Sequence, residues 1–363
     1  MSRPTCVVVL AAGEGTRMRS SRPKPLHQLC GRAMVRYVLD AAAQENVRAT
    51  IVVVGHHATW VQKELSEVAR RDLPLTFVEQ DEQLGTGHAV RVALSTVDDA
   101  IGDSDGDVLI LPGDTPLLRR STVAHLLTVH RERNAALTVL GARVDDPTGY
   151  GRLIHAKDGT LEGIVEERDA TVEERVINDV NTSILVVRQS LLGPALRRVG
   201  RRNVQHEYYL TDLVSVLHES GHLTVSLMLE DPSEASGVND RLQLARAEAV
   251  LRRRINDQWL ARGVTMWDPD TTYVDADVEL AVEVSLLPGT ILKGHCVISR
   301  GAQIGPNALL SDVEVGENAF VGAVEATRAR VGADARVASF VVLGPGADVA
   351  TGEIVAAFTQ RSH

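Results

Sequence analysis

The sequence predicts an α/β fold with a mostly parallel sheet, followed by a short parallel β-helix. Apolar runs alternate with amphipathic stretches up to about residue 235, as expected of βαβ units. The first apolar run, residues 6–10, ends in a loop that contains Gly13 and Gly15. Beyond residue 263 the period changes, and aliphatic residues recur at every sixth position. That spacing is the hexapeptide pattern of a parallel β-helix.

The first region divides into buried strands and amphipathic helices. Strands are predicted at residues 6–10, 51–55, 75–78 and 108–111, and helices at residues 34–44 and 61–70. Ligands of such sheets bind beyond the carboxyl ends of the strands. The glycine loop after Leu10 and the Gly113-Asp114 turn after Leu111 both fall at such ends, so they mark the expected site.

A long helix is predicted over residues 240–262, between the two regions. Asn239 or Asp240 is placed to cap its start, and Gly263 is placed to end it. An apolar face is carried by Leu244, Val250, Leu251, Ile255 and Leu260. We therefore predict a first domain at residues 1–237, a connecting helix at 238–263 and a β-helix domain at 264–363.

The six-residue period holds over two runs that differ in phase. The first comprises Val274, Leu280, Leu286, Leu292, Ile298, Ile304 and Leu310, and the second Val331, Val337, Leu343, Val349 and Val355. With three sides per turn, roughly eighteen residues make a coil, which predicts about four to five coils. The corners are suited to glycine, at Gly305, Gly316, Gly322, Gly332 and Gly344. A β-sandwich is disfavoured because accidental spacing would not hold across both runs.

Composition narrows the classes of function. A net charge of −10 makes the chain a poor nonspecific partner for nucleic acid, and an aromatic content of 3% leaves few stacking platforms. Cys6, Cys30 and Cys296 lie far apart and lack the spacing of a zinc site. We recognise neither a signal peptide nor an apolar stretch of membrane-spanning length, so we expect a cytoplasmic protein with no membrane partner.

The glycine loop indicates phosphate chemistry, because glycine allows unusual dihedrals and has no Cβ to block a ligand. Arg17 and Lys24, the latter in the pair Pro23-Lys24, add positive charge beside the loop. A dinucleotide-binding fingerprint is disfavoured, since Met18 stands where the third glycine would be. The pattern therefore predicts an enzyme that handles a nucleoside triphosphate.

Further motifs carry a resemblance that covers the whole first domain. They are residues 10–18, Pro23-Lys24, Leu26-His27, Gln83-Leu84-Gly85-Thr86-Gly87-His88-Ala89, Gly113-Asp114, Pro116-Leu117, Gly149-Tyr150-Gly151-Arg152, Ile164-Val165-Glu166-Glu167, Asn181-Thr182, Glu207-Tyr208-Tyr209, Thr211-Asp212 and Gly237-Val238-Asn239-Asp240-Arg241. These motifs occur in the order in which the family has them. The chain therefore resembles the bacterial bifunctional N-acetylglucosamine-1-phosphate uridylyltransferase / glucosamine-1-phosphate N-acetyltransferase family. The resemblance implies a Rossmann-like nucleotidyltransferase domain followed by a left-handed parallel β-helix.

The activity implied by the resemblance is transfer of UMP from UTP to N-acetylglucosamine 1-phosphate in UDP-N-acetylglucosamine and peptidoglycan synthesis. Arg17 and Lys24 would be the catalytic residues that neutralise the triphosphate and the leaving pyrophosphate. Asp114 and Asn239 would hold Mg²⁺, which prefers oxygen ligands and keeps several waters. The competing structural roles are an Asx turn before Pro116 for Asp114 and a helix cap for Asn239.

The other residues carried over from the family divide by substrate. Nucleotide binding is expected at Leu10, Ala11, Ala12, Gly13, Gly15, Gln80, Gly85 and Thr86, the last three of them at the uracil. Sugar binding is expected at Gly151, Glu166, Asn181, Tyr209 and Thr211. For Glu166 the competing role is that of an exposed surface acid. Pro112 departs from the family, which often has an aromatic residue there, and this leaves base or sugar selectivity open.

The resemblance weakens for the second activity of the family. Where the family has Arg-Pro-Gly this chain has Gly344-Pro345-Gly346, and it stops at His363, before the region of the remaining acetyl-transfer residues. We expect no acetyltransferase activity and a disordered His363. Because the β-helices of the family pack in threes, we expect the shortened helix to form a homotrimer.

Two other functions remain open at this point. The same chemistry could use different substrates, for instance dTTP with another hexose 1-phosphate, because sugar nucleotidyltransferases share the glycine loop and the Pro-Lys pair. The chain could also be a non-catalytic trimeric scaffold that kept the fold. Loss of Lys24, Asp114 or Asn239 would be the sign of such a scaffold, and all three are present.

Overall fold

The computed structural model describes residues 3–55, 57–67, 75–102 and 105–362. His363, expected to be disordered, lies outside these residues. The chain forms two compact units, one of Met1–His27 with Ala33–Gln243 and the other of Gln28–Arg32 with Leu244–His363. The second unit therefore takes a short segment from near the start of the chain. The domain limits predicted at residues 237 and 263 stay a prediction.

The first unit is built on a nine-stranded sheet. The strands up to residue 228, including the short pair β2 and β3, are β1 (Thr5–Ala11), β2 (Gln28–Leu29), β3 (Arg32–Ala33), β4 (Val47–Val54), β5 (Leu75–Glu79), β6 (Asp107–Pro112), β7 (Leu137–Arg143), β8 (Arg152–His155), β9 (Leu161–Val165), β10 (Asp179–Arg188) and β11 (Thr224–Met228). The sheet order is β11-β7-β10-β6-β1-β4-β5, with β8 pairing β10 and β9.

The sheet is mostly parallel, as predicted. Strands β6, β1, β4 and β5 run parallel to one another, as do β11 and β7, while β10 runs antiparallel to both of its neighbours in this order. The strands predicted at residues 51–55, 75–78 and 108–111 correspond to β4, β5 and β6. Strand β4 begins at Val47, earlier than predicted, because Val47, Ala49 and Thr50, which precede its apolar run, still pair with β1.

The α-helices of the chain are α1 (Met34–Ala42), α2 (Ala58–Glu67), α3 (Thr86–Ile101), α4 (Arg120–Glu132), α5 (Val172–Arg175), α6 (Gln189–Leu196), α7 (Asp212–Glu219) and α8 (Arg241–Ala261). The helix predicted at 34–44 ends two residues early. That predicted at 61–70 begins at Ala58, and residues 68–70 lie outside the described part of the chain. Within the described ranges, no helix is both long and apolar enough to span a membrane.

Helix α8 shows which polar residue caps it. Asp240 Oδ1 accepts a hydrogen bond from the amide of Gln243 over 2.8 Å, the geometry of an N-cap residue with the third helical position. At the other end Gly263 has a φ of +91° and its amide donates to Leu260 O over 3.1 Å. This left-handed residue ends the helix, because it redirects the chain at little steric cost. The cap therefore leaves the Asn239 side chain available for other contacts.

Both faces of the sheet are covered. On β1, Cys6 and Val8 belong to one apolar cluster and Val7 and Val9 to the other, as strand alternation requires. The first cluster includes residues of α3, α6 and α7, and the second includes residues of α1, α2 and α4. Burial on both sides explains why the strands are continuous apolar runs and show no alternation of polarity.

The second unit holds short strands arranged in three parallel sheets. They are β12 (Thr265–Met266), β13 (Tyr273–Val274), β14 (Glu279–Leu280), β15 (Ser285–Leu286), β16 (Ile291–Lys293), β17 (Val297–Ile298), β18 (Gln303–Ile304), β19 (Leu309–Ser311), β20 (Glu314–Val315), β21 (Phe320–Val321), β22 (Val324–Thr327), β23 (Arg330–Val331), β24 (Arg336–Val337), β25 (Val341–Leu343), β26 (Asp348–Val349), β27 (Ile354–Val355) and β28 (Gln360–Arg361). The sheets hold six, six and five strands. This is the parallel β-helix predicted from the period, and the three sheets are consistent with the left-handed form that the family resemblance implies.

The structure also explains the phase slip between the two aliphatic runs. Between them, the inward positions fall at Leu310, Val315, Val321, Ala326 and Val331, and all five residues are buried. Three of these four intervals are one residue shorter than the regular six, so the coil tightens gradually, with no single break. The sequence showed only the sum of these steps, because alanine is a weak marker of an inward position.

Close approach between coils accounts for several of the corner glycines. A Cβ on Gly316 would lie 2.5 Å from the amide nitrogen of Ala333, and one on Gly332 would lie 2.6 Å from that of Thr351. Of the glycines predicted at corners, only Gly305 has a positive φ, of +101°. The left-handed corner positions are occupied instead by other residues, among them Asn307, Asp312, Asn318 and Asp334.

Candidate functional site

The loop after β1 supplies the first part of the site. Gly15 has a φ of +63°, and a Cβ there would lie 2.7 Å from Cβ of Lys24, so this position needs glycine for two reasons. Gly13 differs, because among the described residues, its two chain neighbours aside, no heavy atom lies within 4 Å of where its Cβ would be, and its φ is not positive. The fold itself makes no demand for glycine at position 13, which leaves open space above the exposed loop.

Lys24 joins distant parts of the chain. It begins a 3₁₀ turn, Lys24–Leu26, directly after Pro23, and its side chain is largely buried. Its ammonium group donates one hydrogen bond to Asp114 Oδ2 and another, over 2.8 Å, to Asn239 Oδ1. Arg17 Nη2 donates to the same oxygen of Asn239 over 3.0 Å. The four residues predicted to handle phosphate and metal therefore lie together.

Backbone contacts fix Asp114 and Asn239 in these positions. Asp114 follows β6, and the amide of Gly113 donates to Leu10 O over 2.8 Å, which ties the ends of β6 and β1 together. The amide of Val238 donates to Asp114 O over 2.9 Å, so the residue before Asn239 is anchored to the same turn. Asp240 supplies the cap of α8, and the Asp114 carboxylate accepts from Lys24 at Oδ2.

The donor set fits a hard divalent cation. Asp114 and Asn239 present one carboxylate and one amide oxygen to a single cationic group, the Lys24 ammonium. Magnesium typically takes one or two such protein oxygens and completes its shell with water and substrate phosphates. Among the described residues, no group of three or more His, Cys, Asp or Glu converges as an all-protein metal cage would. The site suits a metal that arrives with phosphate.

The residues predicted to recognise the base form a second group, at the start of α3. Gln80 is buried, with 3% of its surface exposed, and its amide nitrogen Nε2 donates to Gly85 O over 3.2 Å. Gly85 has a φ of +103°, and a Cβ there would lie 2.7 Å from Tyr208 O. Thr86 Oγ1 accepts from the amide of Leu210 over 3.1 Å. The loop is thus held by the chain segment around Tyr208.

The residues predicted to bind the sugar form a third group. Thr211 Oγ1 donates to Glu166 Oε1 over 3.0 Å, and a Cβ on Gly151 would lie 3.3 Å from Glu166 Oε2. The amide of Asn181 donates to Gly151 O over 2.8 Å, which brings the fourth residue to the same place. Asn181 Oδ1 already accepts from the amide of Ser183, so its NH₂ group is the part left for a sugar hydroxyl.

Burial and neighbouring charge shift the acidity of this third group. Burial raises the pKa of Glu166, the nearby Asp212 and Asp169 carboxylates raise it further, and the Thr211 hydrogen bond opposes them. Glu166 is therefore more than an exposed surface acid. Burial also raises the pKa of Tyr209 to about 12, so its hydroxyl, which donates to Gln205, keeps its proton at neutral pH.

The remaining predicted residues, Leu10, Ala11 and Ala12, lie at the end of β1 and directly after it. Ala11 and Ala12 are buried in opposite apolar clusters, so they offer a ligand only their backbone, and the carbonyl of Leu10 is engaged by Gly113.

Sequence reasoning missed two residues that organise the base group. Tyr208 exchanges backbone hydrogen bonds with the loop, since its amide donates to Leu84 O and its carbonyl accepts from Gly87, both over 2.8 Å. Its ring lies under Arg91, whose guanidinium carbon is 4.2 Å from the ring centroid. His88 contacts Gln80 directly. Both residues lie inside motifs that carry the family resemblance. Those motifs do not show which residues are in contact.

Comparisons with known proteins agree with this architecture. Residues 7–199 match the model of the MobA-like NTP transferase domain. The bifunctional protein GlmU of Thermobifida fusca is 43% identical over 331 residues, which cover 91% of this chain and 68% of that protein. Those of Streptomyces avermitilis and Kineococcus radiotolerans are 41% and 42% identical, over 95% and 99% of this chain and 70% and 72% of their own lengths.

Proposed function

We propose, from the premise that this chain belongs to the GlmU family and is a nucleotidyltransferase, that it transfers UMP from UTP to N-acetylglucosamine 1-phosphate. The products are UDP-N-acetylglucosamine and pyrophosphate. One observation carries the proposal: Lys24 links Asp114 and Asn239 at the mouth of an open glycine loop. A cation, a carboxylate and an amide at that point suit a triphosphate that binds with its metal.

The reaction is a displacement at phosphorus that needs no nucleophilic side chain. An oxygen of the sugar phosphate forms a bond to the α-phosphorus of UTP, and the bond from that phosphorus to the bridging oxygen breaks. Pyrophosphate leaves with the electron pair. Positioning and neutralisation of charge are therefore the main tasks of the protein. Arg17 and Lys24 supply the positive charge that stabilises the developing negative charge on pyrophosphate.

Asp114 and Asn239 hold the metal in this proposal, and we assign it as Mg²⁺. The bound ion screens the phosphate oxygens and so favours attack on phosphorus. Lys24, which donates to both oxygens in the described structure, then exchanges these acceptors for phosphate oxygens. The Gly13 loop accommodates the triphosphate backbone, since nothing within 4 Å of its missing Cβ obstructs approach.

Substrate selection is assigned to the other two groups. Gln80, Gly85 and Thr86 recognise uracil, and the fixed amide of Gln80 supports this role because a buried amide discriminates between base edges. Gly151, Glu166, Asn181, Tyr209 and Thr211 enclose the sugar, where Glu166 accepts from a hydroxyl and Asn181 donates. The family often has an aromatic residue where this chain has Pro112. For that reason dTTP with another hexose 1-phosphate is the second candidate substrate pair.

Pyrophosphate release tests the proposal. The purified chain is incubated with N-acetylglucosamine 1-phosphate, Mg²⁺ and each of UTP, dTTP and CTP in turn, then with a panel of hexose 1-phosphates. We expect rapid release only with UTP and the N-acetylated sugar, and none after chelation of the metal. Preference for another pair would establish the second candidate, and absence of release with every pair would favour the non-catalytic scaffold.

For the C-terminal unit we propose assembly without acetyl transfer. Gly344 replaces the arginine of the family's Arg-Pro-Gly, which removes a cationic group that the acetyl-transfer site would use. Phe340 and Phe358 stack on the surface with ring centroids 5.4 Å apart, and Ile354 is also exposed, so the unit carries apolar surface suited to association. Sedimentation should show a trimer, and acetyl-CoA with glucosamine 1-phosphate should yield no free CoA.

A further inference from the structure

We propose that His88 is a positioning residue that fixes the side-chain amide of Gln80 and thereby selects the base. The proposal deepens the function proposed above and rests on it, since it concerns the nucleotide that the site accepts. Gln80 Nε2 lies 3.1 Å from Nδ1 of His88 and 3.2 Å from the carbonyl oxygen of Gly85. Two protein groups therefore compete for, or share, the two hydrogens of one amide.

The carbonyl of Gly85 decides which way the amide faces. A carbonyl oxygen only accepts, so the atom of Gln80 that faces it must be the NH₂ group. One amide hydrogen is then directed to Gly85, and the second is left for His88. The backbone of Gln80 is fixed as well. Its backbone N–H donates to Val54 O over 2.8 Å, at the end of the parallel strand β4.

The ring nitrogen of His88 has a second neighbour that makes the opposite demand. Nδ1 lies 3.1 Å from the carbonyl oxygen of Glu82, to which it could donate only if it carried the proton. Donation to Glu82 and acceptance from Gln80 exclude each other at a single nitrogen. The tautomer of His88 therefore determines whether the side-chain amide of Gln80 is held by Gly85 alone or by Gly85 and His88 together.

Burial decides between the two tautomers. Gln80 is 3% exposed, so an amide hydrogen that lost His88 would find little water to replace it. Glu82 is exposed, and its carbonyl can be hydrated when His88 does not donate to it. The favoured form of His88 thus carries its proton on Nε2 and accepts from Gln80 at Nδ1.

A held amide presents one kind of group to the nucleotide. With both hydrogens engaged by Gly85 and His88, the oxygen Oε1 is the amide atom left to meet a base. An acceptor suits uracil, which offers an imino N–H, and opposes cytosine, which offers a ring-nitrogen acceptor at the same place. Without His88 only the bond to Gly85 would hold the amide, so rotation that presents NH₂ would be less strongly opposed and the discrimination would weaken.

Equilibrium binding tests this role. Titration calorimetry measures the affinity of the full chain, with Mg²⁺, for UTP and for CTP in the parent, His88→Leu and His88→Asn. We expect His88→Leu to lower the ratio of UTP to CTP affinity at least about tenfold, because it removes the acceptor. His88→Asn, whose side-chain oxygen can accept near the place of Nδ1, should keep most of the preference. His125→Leu, an exposed histidine on α4, is the matched control.

Two readouts keep the outcome clear. An unchanged affinity ratio in a folded His88→Leu protein would overturn the inference. So would a ¹⁵N spectrum of the parent that places the His88 proton on Nδ1. Should His88→Leu fail to fold, the His88→Asn ratio and the ¹⁵N spectrum still decide. Pyrophosphate release by the parent chain judges the proposed function separately, since it does not depend on any His88 variant.

Discussion

The Lys24 ammonium donates to the side-chain oxygen of Asn239 over 2.8 Å, although 215 positions separate the two residues in the sequence. This contact, with that to Asp114, brings together parts of the chain that follow β1, follow β6 and precede α8. In our proposal, a metal ion that arrives with the substrate displaces the Lys24 ammonium from these two side-chain oxygens. The predictions below test the groups that meet there and the parts of the fold that support them.

Asp114→Asn should lower the rate of pyrophosphate release about 10²–10³-fold, because a neutral amide replaces the carboxylate that we propose holds the metal at the reacting phosphates. Folding should be preserved, since the side chain keeps its shape and its bond to Lys24. Initial rates over a range of Mg²⁺ concentrations provide the measurement. Glu162→Gln, which removes an exposed charge on β9, is the control. Equal rates for Asp114→Asn and the parent would exclude Asp114 as a ligand.

Gly15→Ala should lower the stability of the protein, whereas Gly13→Ala should weaken the binding of UTP. At Gly15 the positive φ and the contact with Lys24 should destabilise the protein by about 1–2 kcal/mol in urea unfolding. At Gly13 the new methyl group meets no protein atom, so stability should be unchanged while the KM for UTP rises several-fold. A normal KM for Gly13→Ala would show that the triphosphate does not approach this loop.

Glu166→Gln should stabilise the protein at neutral pH and weaken sugar binding. Burial raises the pKa of Glu166 in the folded chain, so the folded state binds its proton more tightly than the unfolded state does. Stability then falls as pH rises from the unfolded pKa through the raised one. The gain in melting temperature should be present at pH 7.5 and absent at pH 3.5.

The same substitution should raise the KM for the sugar phosphate about tenfold, because a charged acceptor is lost. Thr211→Val, which removes only the hydroxyl that donates to Glu166, serves as its partner variant. Thermal melts at both pH values and steady-state kinetics separate the two effects. A melting gain that is equal at both pH values would contradict the assigned cause.

Arg131→Met should destabilise the first unit by about 3 kcal/mol, because it leaves the buried Asp107 carboxylate with fewer partners. Arg131 Nε donates to Asp107 Oδ2 over 2.7 Å. Burial alone would raise the pKa of Asp107, but His130 and Arg131 hold it below its usual value. This stabilisation is present above the unfolded pKa and is lost as pH falls through the lowered one.

Urea unfolding at pH 7 and at pH 3 provides that measurement. The difference between the parent and Arg131→Met should shrink at the lower pH, because the pH there approaches the lowered pKa of Asp107. Arg133→Met, on an exposed residue just after α4, should change stability by less than about 0.5 kcal/mol. If both substitutions cost the same, Asp107 is not the reason for the effect.

Much of the architecture follows from periodicity. The apolar runs located β1, β4, β5 and β6, and the rule that ligands bind at the carboxyl ends of parallel strands placed Asp114 beside the glycine loop. The limits of elements were less certain: β4 starts before its apolar run, and α1 ends before Gln44. Strand pairing and helix packing determine where these elements end, and neither produces a periodic pattern in the sequence.

Contacts between distant residues could not be inferred from spacing. Asn239 and Asp240 are adjacent polar residues, and only the bond from Gln243 shows that Asp240 is the cap. The proximity of Asp114 and Asn239 came from the family resemblance. The link between His88 and Gln80 depends on how the loop between β5 and α3 folds back on α3. Likewise, the tightened coil around Ala326 was visible only as a change of phase.

The segment Gln28–Arg32 groups with residues beyond 243, and this constrains how the protein is made. The amide of Cys30 donates to Glu248 over 2.8 Å, and Arg32 Nε donates to Asp277 over the same distance. Early in synthesis, these five residues emerge from the ribosome long before their partners exist. A shortened gene that stops at codon 243 would leave them permanently without those partners, so a single cut at that codon does not separate the chain into its two compact units.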